Sequence, residues 1–428
     1  MTMGLVAMVA QLACLAAPAP EVGPPVPVCP APPDARPQLA PACAGDGRGT
    51  FLVAWQQGRK YFEGEDPVVL AARVSAEGKL LDDRPLRLCA ARGSQDAPRV
   101  AFAGGVFLVV WQDFRNGKDW DVYATRVTPE GRVLDAEGLA IAAGAHSQAM
   151  PDVAGGPDGF LVAWQHHRDG ERYEPRAARV GPNGRVLDPD GVELSLGGER
   201  LRGGSVGLVR AADGWLLAWR DDFAWGVGGG PSARTTRLVA RLSDAGGQLK
   251  VLNVNRAPPG VYGLYPACLA SAGDRVFLGT GGSQRSVRCA MGCVLDTATG
   301  AALPNPNAET KIGASGWNTA QAIVLLEPLV PGFQPPLGAG SDGAAFLVAV
   351  RQRAEERRDP RQPLRLLRLD RDGRKLDAAG ALPVLDDGAV PCSCPAVAGG
   401  PRGSFLVAYE SDGGPGQRRV LARRVRLP

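Results

Sequence analysis

Residues 107–135 read FLVVWQDFRNGKDWDVYATRVTPEGRVLD. An apolar run ends at Trp111, a polar loop follows, and a second run ends at Arg126 and Val127. A tight turn through Pro129, Glu130 and Gly131 then leads into the start of a third. Short runs of Phe, Leu, Val, Trp and Tyr bounded by Gly, Asp and Pro have the composition of strands. No long segment carries a 3.6-residue apolar period, so the chain is read as all-β.

The stretch recurs. Its first run appears as FLVAW at 51–55, FLVVW at 107–111, FLVAW at 160–164 and WLLAW at 215–219. A degraded VFLGT stands at 276–280, then FLVAV at 346–350 and FLVAY at 405–409. The second signature follows from Ala71, Ala124, Ala177 and Val239, weakly from Cys293, and again from Leu367. In the last copy it stops at ARRVRLP, the end of the chain. Asn183-Gly184 and Asp372-Gly373 suit the positive φ of a tight hairpin. Another short run precedes each FLVAW, which makes about four strands per unit of roughly fifty residues, the period of a β-propeller blade.

Seven copies predict seven four-stranded blades; the weak fifth copy and the long stretch after it leave six as the alternative. The last copy lacks its outer strand, and the segment from Pro25, PVPVCPAPPDARPQLA, resembles the missing piece. Residues near Val26–Cys29 are therefore expected to complete the last blade and close the ring, removing edges open to aggregation. The domain expectation is a leader over 1–20, a Pro-rich linker and closing strand over 21–37, and a propeller over 38–428.

Composition agrees. With 57 Gly and 37 Pro in 428 residues, the chain is rich in turns. A net charge of +4 is small for this size and points to no nucleic acid or other polyanion. Residues 1–20 form an apolar run followed by small residues, as in an export signal, although no Lys or Arg precedes Arg36. Gln11 to Cys14 half resembles a lipoprotein box, making Cys14 the lipidation candidate. No later apolar stretch has the length of a membrane span. The expected location is the cell envelope or the outside of the cell, as a monomer.

Eight cysteines remain beyond Cys14: Cys29, Cys43, Cys89, Cys268, Cys289, Cys293, Cys392 and Cys394. An even number in an exported chain favours disulfides. Cys29 and Cys89 hold the same outer-strand position in different repeats, and a bridge from Cys29 to Cys392 or Cys394 would lock the closure. Zinc at Cys392 and Cys394 is disfavoured, because no second Cys or His pair has the required spacing.

The most regular polar feature is an arginine repeated at Arg73, Arg126, Arg179, Arg241, Arg368 and Arg424, with Cys293 in its place in the fifth copy. A residue copied around a ring is structural, its guanidinium paired with a carboxylate or carbonyls. The loop with Asp113, Arg115, Asn116, Asp119 and Asp121 is acidic enough to consider calcium, the one cofactor entertained, but lacks EF-hand spacing. A solvated loop with local Asp–Arg pairs is the plainer reading. His146, His166 and His167 show no partners in sequence for metal or acid–base work. No H-E-x-x-H pair and no phosphate-binding P-loop occurs. Aromatic residues outside the strand pattern, Trp120, Trp225, Trp317 and Phe333, are the candidate ligand platform, since aromatic faces suit sugars and peptides.

The FLVVWQD-x-R … DVYATRV-x-P-x-G-x-VLD pattern resembles the repeats of secreted bacterial β-propellers of the myxobacterial type, over nearly the whole chain after residue 25. Their architecture is distantly similar to sialidase-like propellers. The sialidase Asp-box S-x-D-x-G-x-T-W is absent, so the resemblance carries over no catalytic residue. The functional expectation is a non-catalytic binding or interaction scaffold for a protein or glycan ligand. The alternative is a glycan-active hydrolase or lyase.

Overall fold

The computed structural model describes residues 18–30, 34–59, 66–168, 173–196, 205–221, 236–244, 247–258, 268–284, 287–307, 322–326, 337–351, 363–377, 383–386, 395–401, 403–412 and 418–428. The described residues form no helix; their strands make seven antiparallel sheets. The first blade takes Gln38–Gly45, Thr50–Gln57, Val68–Ser75 and Leu86–Arg87 in order, from the ring axis outwards. The second takes Gln95–Ala103, Val106–Asp113, Asp121–Val127 and Leu139–Ala142. The third takes Ser147–Gly156, Gly159–His167, Tyr173–Val180 and Val192–Glu193. The first strand of every blade touches the first strands of both neighbours, and the seventh touches the first, so the ring closes. Seven blades, not six, is the result. The degraded fifth copy is a full four-stranded sheet that includes Arg275–Gln284 and Val287–Asp296.

Closure follows the expectation and extends it. Val26 and Pro27 pair with Ala422 and Leu421, and the Val28 amide donates to the Val420 carbonyl. Cys29 is thereby the counterpart of Cys89, which follows Leu88 on the outer edge of the first blade, where the Leu88 amide donates to the Val69 carbonyl. More of the segment takes part than the pattern around Val26 implied: Glu21 and Val22 pair with Arg426 and Val425.

The core lies between blades rather than within them. Each of seven apolar clusters spans two adjacent sheets; one joins Leu108, Val110 and Val122 of the second blade to Phe160, Val162 and Trp164 of the third. Alternation along each strand sends successive residues to opposite faces, so both faces of a central strand are buried, which explains its unbroken apolar run. Trp55, Trp111, Trp164 and Trp219 are fully buried, as is Tyr409 in the same repeat position.

The repeated arginine has the structural role its regularity implied. Arg73, Arg126, Arg179 and Arg368 pair with Asp82, Asp135, Asp188 and Asp377 at 2.7, 2.8, 2.8 and 2.6 Å. The guanidinium also reaches the next blade: Arg73 Nη1 donates to the Pro129 carbonyl and Arg126 Nη1 to that of Pro182. Arg368 Nη1 donates to the Pro18 carbonyl of the segment that completes the seventh blade. Where the fifth copy has Cys293, the matching acid position holds Ala302, so both partners are replaced together. The turn glycine of the next blade lies on the arginine: a Cβ on Gly184, whose φ is +85°, would stand 2.9 Å from the Arg126 guanidinium carbon.

Among the described cysteines, Cys29, Cys43, Cys89, Cys268 and Cys293 form no disulfide with one another. Cys14, Cys392 and Cys394 and the side chain of Cys289 lie outside the described residues, as does the bridge expected from Cys29. No described helix is long and apolar enough to cross a membrane.

Candidate functional site

The strand registers set which loops share an end of the ring. Gln95 opposes Asp113, which opposes Asp121; Ser147 opposes His167, which opposes Tyr173. The start of each inner strand and the loop after each second strand therefore lie at the same end. The arginine–aspartate pairs and their turns lie at the other.

At the loop end, three inner strands carry a bulge before a proline. Ala40, Ala97 and Met150 adopt φ of +51°, +54° and +52°. Such values are uncommon for residues with a side chain, and neighbouring blades hold two of them in place. The Ala40 amide donates to Glu410 Oε1 at 2.8 Å, and that of Met150 to Gln112 Oε1 at 3.1 Å. Acids of the inner strands are similarly engaged in structure. Asp152 accepts the amides of Val153 and Leu208, linking the third blade to the fourth, and burial raises its pKa.

The acidic loop of the second blade resolves into local hydrogen bonds. Asp113 accepts from Trp111 Nε1 at 2.8 Å and pairs with Arg115 at 2.7 Å. The Arg115 guanidinium lies over the Tyr123 ring at 3.7 Å and donates to the Glu137 carbonyl. Burial works against its charge, and Asp113 outweighs that, so its pKa is raised. Asn116 holds the loop, accepting from the amides of Lys118 and Asp119 and donating to Asp119 and Asp121. Asp121 is 3% exposed and has a pKa pushed up to about 6 by burial, then by Asp119 and Asp113. Among the described residues, no group of three or more His, Cys, Asp or Glu gathers as a metal site.

Of the aromatic candidates, Trp120 is half-buried, its ring 5.1 Å from that of Phe114. Its carbonyl accepts the Gln148 amide, so it anchors the start of the third blade. Trp225, Trp317 and Phe333 lie outside the described residues.

A cavity of about 400 Å³ opens next to that anchor, over the seam between the second and third blades. Its polar lining comprises His146, Gln148, His166, Arg168, Arg176 and Asp190. Gln148 Nε2 donates to the carbonyls of Ala145 and His146 and lies 3.3 Å from His166 Nδ1. An amide nitrogen cannot accept, so His166 Nδ1 is the acceptor and Nε2 carries the proton. Burial, then the Arg176 charge, lowers the His166 pKa and keeps the ring neutral at pH 7. The rings of His146 and His166 stand edge to face at 6.1 Å, and His167 stacks on Tyr173 at 4.7 Å.

The structure thus brings together histidines whose partners were invisible in sequence, and adds Arg168, Arg176 and Asp190, which the motif survey missed. One signal was present. Arg176 opposes Trp164 where Leu70, Tyr123 and Leu238 oppose Trp55, Trp111 and Trp219, so among these four blades a charge faces the tryptophan only in the third; the sixth blade also has a charge there, Arg365 opposite Val350.

A serine-nucleophile pattern also falls near this end. Residues 203–207, GGSVG, match G-x-S-x-G. Ser205 leads directly into the inner strand Val206–Ala211 instead of a strand-to-helix elbow, and its hydroxyl is buried, so the pattern has no exposed nucleophile. Burial raises the thiol pKa of Cys29, Cys43 and Cys89, with Cys43 pushed up to about 12, so none is an activated thiolate.

No protein-family model matches the chain, and no curated protein matches it in sequence. Solved structures do match. A protein of unknown function from Dyadobacter fermentans is 11% identical, covering 96% of this chain and 100% of its own, with a TM-score of 0.53. A subtype N10 neuraminidase-like protein of A/little yellow-shouldered bat/Guatemala is 12% identical over 95% and 99% of the chains, TM-score 0.42. The polysaccharide lyase Uly1 is 9% identical over 90% of each, TM-score 0.48. At such identities the likeness concerns the fold. The chain is a seven-bladed β-propeller closed by its own N-terminal segment.

Proposed function

We propose that the chain is a non-catalytic binding propeller that takes its ligand at the loop end, in the cavity over the seam of the second and third blades. One observation carries this reading: the described polar cavity at that end is lined by His146, His166, Arg168 and Arg176 with Asp190 as its one carboxylate, while Asp113, Asp152 and Glu410 nearby are tied into the scaffold. Asp113, Asp152 and Glu410 hold backbone amides, an indole or an arginine, which leaves no carboxylate pair poised around a substrate among them. The apolar leader and the cysteine count support an exported chain at the cell envelope or outside the cell, with Cys14 as a lipid anchor.

The test is a screen of purified protein against immobilised glycans and envelope proteins, with product analysis on every hit. Saturable binding without new products is the expected outcome. Turnover of a bound glycan would overturn it.

Asp121 favours a second reading, a glycan-active enzyme. A carboxyl held near pH 6 beside a second carboxylate is the arrangement of a general acid. Its burial under the Asn116 loop argues against substrate reaching it.

A further inference from the structure

The cavity has a filled counterpart one blade earlier, and the comparison indicates what it takes. In the second blade the niche beside Trp111 is occupied by the protein's own Arg115, which stacks on Tyr123 and is neutralised by Asp113 at 2.7 Å. In both blades a turn glycine closes over the indole: a Cβ on Gly138 would stand 3.3 Å from both Arg115 Nη2 and Trp111 Cζ2, and one on its counterpart Gly191 2.3 Å from the Trp164 ring, so the open space of the third blade lies where the arginine would fold, lined by Arg168 and Arg176. In the matching positions of the third blade, Asp113 is replaced by His166 and Tyr123 by Arg176, and Arg168 stands where Arg115 stood.

These changes do two things. They leave a cavity lined by Arg168 and Arg176, because Arg168 is exposed instead of folded against the sheet as Arg115 is. They also reverse its electrostatics. Arg115 faces Asp113 and Asp121 in the second blade; Arg168 and Arg176 share Glu174 in the third. Their contacts with Glu174 are long, at 3.4 and 3.6 Å, where the Arg115 pair is 2.7 Å. Arg176 makes one further bond, from Nη1 to the Asp190 carbonyl at 3.3 Å. The acid that neutralises the second blade's niche from within is missing from the third.

The geometry points to a ligand that supplies it. We propose that the niche binds the carboxylate of a polyhydroxylated acid, a single uronate residue of an acidic saccharide. This deepens the binding reading above and rests on it. Planar guanidinium groups match a carboxylate, and Arg176 and Arg168 both line the cavity and stand near one another, since both reach Glu174. The remaining polar groups suit hydroxyls. His166 presents Nε2 as a donor, and the Asp190 carboxylate has no hydrogen-bond partner among the described residues and accepts. Asp190 on the rim also disfavours a second negative charge on the bound group itself, which separates a carboxylate from a phosphate. The volume, about 400 Å³, lies at the low end of the range for small-molecule sites, roughly 300–1,000 Å³.

The experiment is calorimetric titration of the full chain with digalacturonate, with cellobiose as neutral probe and acetate as a carboxylate lacking hydroxyls. Digalacturonate is expected to bind, cellobiose to give no heat, and acetate to compete weakly. Arg176→Gln should weaken digalacturonate at least tenfold. Asp190→Asn, an exposed change that leaves folding intact, should weaken digalacturonate while strengthening acetate. Equal binding of cellobiose, unchanged affinity in Arg176→Gln, or no binding of digalacturonate would each overturn the ligand assignment, while capture of another ligand would leave the binding reading standing. Binding of digalacturonate followed by its cleavage would do the reverse, overturning the non-catalytic reading and keeping the ligand.

Discussion

Glu21 forms an ion pair with Arg424, in the seventh blade, in the role that Asp82 has for Arg73 and Asp135 for Arg126 in earlier blades. The last copy ends before its own acid, and the N-terminal segment brings a substitute along with the outer strand. A charge pair and a strand pairing thus join the two ends of the chain at one place.

Closure rests on the strand more than on the charge. Glu21 is largely exposed, so Glu21→Gln should cost under about 1 kcal/mol. Deleting residues 18–29 strips the outer strand from Arg418–Arg426 and uncovers Val420 and Ala422. That variant should unfold at a clearly lower temperature and aggregate through its open edge. Thermal unfolding followed by light scattering separates the two. Equal behaviour of the variants would refute the ranking.

The interior arginine pairs should matter more than the terminal one. Arg126 makes two contacts with Asp135 and one with the Pro182 carbonyl, and both pair members are mostly buried. Arg126→Ala leaves a carboxylate and a carbonyl without their partner, a loss of about 1–3 kcal/mol. A double-mutant cycle with Asp135→Ala in urea unfolding should show coupling of at least about 0.5 kcal/mol. Strict additivity of the two changes would remove the pair from the stability argument.

Two turn glycines separate backbone strain from packing. Gly47 and Gly184 both have positive φ, but a Cβ on Gly47 meets nothing within 4 Å, whereas one on Gly184 presses on Arg126. Gly47→Ala should cost about 1 kcal/mol from φ alone. Gly184→Ala should cost more, by the displacement of Arg126 from Asp135. Equal midpoints in denaturant for the two variants would show that the arginine gives way freely.

Asp121 predicts a pH dependence whose sign is fixed. Its folded pKa, about 6, lies above the ordinary value of 3.8, because burial comes first and Asp119 and Asp113 add to it. The neutral form's contribution is complete below about pH 4 and is lost as pH rises through 6. Asp121→Asn removes that loss while keeping an oxygen for Asn116. The variant should match the parent at pH 4 and exceed it at pH 7 by at most about 3 kcal/mol. A stability difference that is flat across this range would show that Asp121 titrates normally.

The repeat by itself determined the all-β class, about four strands per unit, the closing role of the segment near Val26–Cys29 and the structural place of the arginine, while the structure decided between seven blades and six and added Glu21 and Val22 to the closure. Each follows from local rules: apolar runs that recur, glycines where φ must be positive, and an arginine copied in six of the seven units. Even the degraded fifth copy kept enough of the pattern, from Val276 to Thr280, to hold its blade. The site was not legible in the same way. His146 belongs to the connection from the second blade, His166 and Arg176 to paired strands of the third and Asp190 to its turn, and they meet through the register of those strands, with Ala142 of the second blade completing the lining. The histidines were visible as residues and silent as a site, since no spacing along the chain encodes a distance across a seam. Arg176 stood out only when Trp164 was seen to face it. Whether a niche is filled by its own arginine, as by Arg115, or left open, as beside Arg176, depends on where one side chain folds in three dimensions. Periodic packing is written in the repeat; a cavity arises where one copy departs from it, and only the neighbouring blade shows which departures converge.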